Sequence, residues 1–168
     1  ALPDSVAAQI LAKTDGVPLF IEELTKAVVE AGFLNATGPL PPLAIPATLQ
    51  DALMARLDRL VTAKGIAQLA AVIGRQFAYD VLSTVSQLDA ATFQRELSRL
   101  VAAEIVYQRG LPPHAYYLFK HALVQDAAYQ SLLKSTRQHY HQRIAQLFEH
   151  HFPDLVEIVL PGGVRPAF

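Results

Sequence analysis

The chain has 168 residues, 52% of them apolar, which suits one globular domain or two small ones with a buried core. Fourteen basic and 15 acidic residues leave a formal net charge of −1, so no general attraction to nucleic acid or to an anionic membrane is expected. There is no cysteine, which excludes disulfides and thiolate metal sites and fits a reducing, cytoplasmic setting. No stretch approaches the roughly 20 uninterrupted apolar residues of a membrane span. The opening Ala1-Leu2-Pro3-Asp4-Ser5 has no charged leader, and Met54 is the sole methionine. The expectation is a chain that begins within a longer protein or has been processed.

In chain order, Asp4 or Ser5 is expected to cap a helix through about Thr14, with Val6, Ile10 and Leu11 as its apolar stripe. Gly16 supplies a positive-φ residue at the C-terminal cap, and Pro18 suits the first turn of a second helix, where its missing N–H is harmless. That helix carries Leu19, Phe20, Leu24, Ala27, Val28 and Ala31 on one side until Gly32. Residues 1–32 thus read as a helical hairpin, and 33–46, rich in proline, as a linker or strap.

Thr48 with Asp51 resembles a capping box and opens a helix bearing Leu49, Leu53, Leu57 and Leu60. A break at about Thr62–Gly65 leads into Ile66, Leu69, Ala70 and Ile73, again at helical spacing. A further helix is expected near Tyr79–Ser86, and Asp89 caps another with Phe93, Leu97, Leu100 and Val101 inward. Glu104–Arg109 and Ala115–Phe119, separated by Gly110, Pro112 and Pro113, read as a two-stranded β-hairpin. Helices at about Ala122–Leu133 and Thr136–His151 follow, then a strand-like tail over 154–168 with no assigned role. The expected architecture is mainly α: a helical hairpin, then a winged-helix domain over 47–133 with a two-stranded hairpin, then a C-terminal helix over 134–153.

Site chemistry is sparse. Neither Gly-x-x-x-x-Gly-Lys-Ser/Thr nor Gly-x-Gly-x-x-Gly occurs, so no phosphate cradle is built by this chain alone. No nucleophile motif, paired catalytic carboxylates or zinc signature is visible, and the chain by itself is not expected to be an enzyme. Glu22 and Glu23 diverge on a helix and read as a solvated edge. Of the six histidines, His139 and His141 lie about 200° apart on a helix and do not chelate together; His139, Arg143 and His150 read as a solvated face. His121, beside Lys120 at a helix start, has two open readings: part of an anion site at that N-terminus, or a histidine that caps the helix or packs beneath the wing. Gly16-Val17-Pro18 is explained by capping, although a proline ring also offers a flat apolar edge to an adenine. The helix after Asp89 carries Arg95 and Arg99 but also Glu96, poor chemistry for DNA, which wants several convergent cations.

Three segments together carry a family resemblance: Asp15–Thr25 (DGVPLFIEELT), Ile45–Leu60 (IPATLQDALMARLDRL) and Phe119–Tyr129 (FKHALVQDAAY). In this order they resemble the region after the ATPase core of STAND-type signal-transduction ATPases. The likeness is greatest to bacterial proteins joining a class III adenylate/guanylate cyclase domain to such an ATPase and to tetratricopeptide repeats; relatives with a LuxR-type DNA-binding end share the same middle. The resemblance covers about residues 3–153. It implies a lid and winged-helix module with Gly16 and Pro18 against the adenine and His121 facing the phosphates of ADP or ATP. Magnesium and the phosphate loop would belong to an upstream core, and helical repeats would follow downstream. Arg56 and Arg75 fall in matching stretches without a role. A DNA-binding winged helix and a ligand-free protein–protein adaptor stand as the alternatives.

Overall fold

A computed structural model describes residues 2–33 and 48–151; the expected linker, from residue 34 onward, and the expected tail lie outside these. Among the described residues the chain is mainly helical with a small three-stranded antiparallel sheet. It divides into two compact units, Ala1–Arg59 and Leu60–Phe168.

The first unit holds α1 (Asp4–Thr14), α2 (Pro18–Glu30) and α3 (Leu49–Arg59). Val6 and Ile10 are one turn apart on α1, and Phe20, Leu24 and Val28 repeat every fourth residue on α2; these stripes meet Ala52 of α3 in one core. Neither Asp4 nor Ser5 caps α1. Pro3 occupies the N-cap, its carbonyl accepting from the Val6 and Ala7 amides at 3.0 Å, and Asp4 enters the first turn, where its charge complements the helix dipole. Thr48 does cap α3: the Asp51 amide donates to its Oγ1 at 3.0 Å.

Helix α3 belongs with the hairpin, so the unit boundary falls after Arg59 rather than at the start of the 47–133 segment expected above. The reason is its buried face. Ala52, Leu53, Arg56 and Leu57 all turn inward, and α3 packs on α2. The same packing overturns the solvated-edge reading of Glu23. Successive helical residues lie about 100° apart. Glu22 therefore stays outside, 2.7 Å from Lys26, while Glu23 falls on the stripe of Phe20 and Ala27 and is 1% exposed. Arg56 of α3 meets it, Nη1 lying 2.8 and 2.7 Å from the two carboxylate oxygens.

The second unit is built around α4 (Thr62–Ile73), buried on nearly every side through Ala63, Ile66, Ala67, Leu69, Ala70, Ala71 and Val72. It packs against α5 (Tyr79–Ser86), α6 (Ala90–Ala102), α7 (Ala122–Gln130) and α8 (Lys134–His151). The break before α4 is at Val61, which takes φ 48°, and Gly65 lies inside the helix rather than at the break. A β-branched residue at positive φ is strained. Here the next residue is fixed: the Thr62 hydroxyl donates to the buried Glu96 carboxylate at 2.7 Å. Asp89 caps α6 as expected, accepting the Thr92 amide at 2.9 Å.

Strands β2 (Val106–Arg109) and β3 (Tyr116–Phe119) form the expected antiparallel hairpin, but the sheet has a third member. Strand β1 (Gln76–Ala78) pairs with the far side of β3, giving the order β1-β3-β2. The two-stranded expectation is corrected accordingly. Phe77, Tyr117 and Phe119 form the inner face, with Tyr117 stacked on Phe77 at 5.8 Å and Phe119 edge-on to it at the same separation.

Candidate functional site

Gly16 and Pro18 share one corner of the first unit. Thr14 ends α1, Asp15 and Gly16 take φ 50° and 76°, and Val17 is the N-cap of α2. The Val17 amide bonds the Thr14 carbonyl, and the Val17 carbonyl accepts the Ile21 amide, both at 3.0 Å. Pro18 begins α2, where an amide would have no helical partner. Gly16, Val17 and Pro18 are all exposed, and a Cβ placed on Gly16 would meet nothing within 4 Å. The corner is an open apolar step.

His121 stands in the second unit, as the N-cap of α7. Its extended backbone turns β3 into the helix, and its carbonyl accepts from Val124 at 3.1 Å and Gln125 at 3.4 Å. Its side chain does not cap the helix; the ring is half-buried and its Nε2 is inaccessible. Ala122 and Leu123, the first two residues of α7, are exposed. An anion approaching this helix start therefore meets first-turn N–H groups before the Nε2 edge. Lys120 is not a spare cation for it: Nζ lies 3.8 Å from the Glu104 carboxylate.

Two other polar clusters were invisible in the sequence pattern. Glu96, 3% exposed, receives Thr62 at 2.7 Å and both Arg95 and Arg99 at 3.2 Å. The Thr62 bond, followed by the two guanidinium groups, holds its carboxyl below the usual glutamate value of 4.5 against the opposing effect of burial. Such a group stabilises the fold fully above the unfolded value and loses that contribution as pH falls through the lower folded value. Melting of the second unit should therefore weaken on acidification below pH 4.5, and Glu96→Gln should flatten that part of the curve. A mutant that retains the full wild-type acid slope would count against the network. The cluster also weighs against phosphate reading by α6, because Arg95 and Arg99 are both drawn to one internal carboxylate.

On α8, Arg143 is half-buried and donates to the Val85 carbonyl, correcting its assignment to a solvated face. His139 is exposed, while His141 lies 3.2 Å from the Tyr129 hydroxyl, its pKa pushed down by burial and by Arg137. No group of three metal-ligating side chains occurs among the described residues. No helix among them is long and apolar enough to cross a membrane. An open hollow of about 270 Å³ beside α5 and α8 contains none of the three residues singled out by sequence.

No family model matches the chain. No solved structure matches it either. An uncharacterized protein of Rhizobium meliloti (strain 1021) is 29% identical over 133 residues, covering 77% of this chain. The likeness assigns no activity. The chain spans about 13% of the length of that relative.

Proposed function

We propose that this chain is a nucleotide-sensing lid and winged-helix module of a longer signalling ATPase. The observation that carries the reading is the exposed Gly16-Val17-Pro18 corner, which leaves the proline uncovered at the start of α2. A flat apolar ring in this place is suited to lie against an adenine held by a neighbouring domain. The helix start at His121, taken by itself, is suited to the phosphates of ADP or ATP, chiefly through the α7 first turn. The element order α4, β1, α5, α6, β2, β3 supports the winged-helix reading of the second unit. Alignment to a small part of a much longer relative agrees with a module.

In this reading the phosphate loop and the magnesium ligands belong to an upstream core. Helical repeats follow downstream, a cyclase or transcriptional domain gives the output, and the setting is cytoplasmic. ADP shifts the module toward a closed state only through unequal affinity for the closed and open forms.

The test is ADP affinity in the protein extended by its own upstream sequence. Pro18→Ala removes roughly 1 kcal/mol of apolar contact and should weaken ADP about fivefold. His121→Ala should weaken it by a smaller factor, since the phosphates meet the α7 first turn before the inward-turned Nε2. Pro18→Ala should melt with the parent, because its exposed ring caps no helix here. Unchanged affinity in both would sink the nucleotide reading and leave the adaptor alternative.

A further inference from the structure

The outer face of the small sheet has no role in the nucleotide reading, and its chemistry is distinct. Register fixes its membership. Tyr107 pairs with Leu118 and Arg109 with Tyr116, while Gln76 and Ala78 of β1 sit beside Leu118 and Tyr116. Alternation along each strand sends Phe77, Tyr117 and Phe119 to the core, so these six residues share the opposite face. Tyr107 is 47% and Tyr116 52% exposed, with Leu118 half-buried between them in the pairing pattern. Leu111, at the adjoining hairpin turn, is also exposed.

The face carries one cation and no carboxylate. Arg109 is exposed and makes no ion pair among the described residues. Across the sheet from it, Tyr116 offers an aromatic surface rather than a counter-charge. Tyrosine and arginine around a partly buried aliphatic floor is the composition of protein-interface hot spots, and an isolated guanidinium favours a carboxylate partner. Nucleic acid is the weaker fit, since a phosphate-tracking surface needs several convergent cations and this face has one.

We infer that the outer sheet face docks an acidic peptide segment of a protein partner. A carboxylate of that segment pairs with Arg109, and a neighbouring apolar side chain rests on Leu118 between Tyr107 and Tyr116. This inference is independent of any nucleotide site.

A random dodecapeptide library displayed on phage, panned against the full chain, supplies the probe. Enriched peptides should place Asp or Glu beside an aliphatic or aromatic residue. A synthetic peptide of that consensus should perturb the Tyr107 and Tyr116 amide resonances. It should bind Arg109→Glu and Tyr116→Ala at least tenfold more weakly, with melting temperatures unchanged. Enrichment without acidic residues, equal binding to both variants, or shifts confined to other elements would overturn the proposal. So would labelled oligothymidine binding the same face more tightly than the consensus peptide.

Discussion

Replacing Glu23 by alanine should destabilise the first helical unit by about 3–5 kcal/mol, because it takes from the buried Arg56 guanidinium the carboxylate that Nη1 contacts. Both side chains are almost wholly withdrawn from water, at 0% and 5% exposure, and Nη1 of Arg56 contacts both carboxylate oxygens. Arg56→Ala should cost as much, stranding the carboxylate instead. The pair itself is a different matter. Desolvating two ions offsets much of their attraction, so Glu23→Leu combined with Arg56→Leu should recover most of the loss. Hydrogen exchange should show lost protection in α1, α2 and α3 for the single variants. A loss under about 1 kcal/mol from the single changes, the value typical of exposed pairs, would contradict the burial described.

Phe119→Ala should weaken the second unit by about 3–5 kcal/mol, the usual range for deleting a buried phenyl ring. Phe119 is 0% exposed, its ring meets Phe77 edge-on, and its amide donates to the Arg75 carbonyl at 3.0 Å. It also immediately precedes Lys120 and His121, so the cavity it leaves would loosen the anchor of the α7 start. Urea unfolding followed by tyrosine fluorescence should show the shift, since Tyr117 stacks on the same Phe77. A shift below about 1.5 kcal/mol would mean that the site collapses around the lost ring, as only a loosely packed sheet allows.

Which parts of this molecule were legible follows from the range of the interactions involved. Tyr79–Ser86 is found where the periodicity puts it, and the Asp89 cap and the Gly16–Pro18 corner each announce themselves within a few residues. Strand β1 is not legible in the sequence, because three residues are too short to display alternation, and it exists by pairing with β3 some 40 positions later. Gly65 draws the expected break too far along the chain, because an exposed glycine within a helix costs only about 1 kcal/mol and the turn is made at Val61 instead. Glu23 reads as surface until α3, 33 residues onward, brings Arg56 across to it. The residues picked for the site are visible by motif. What motif does not disclose is that Lys120 answers Glu104 and that the His121 ring turns its Nε2 inward.

Photoaffinity labelling tests the nucleotide proposal most directly. In the protein extended by its own upstream sequence, irradiated 8-azido-ADP should attach to the peptide spanning Asp15–Leu19, and unlabelled ADP should compete it away. Label confined to the upstream core, or label on this chain that excess ADP does not displace, would contradict an adenine seated against Pro18.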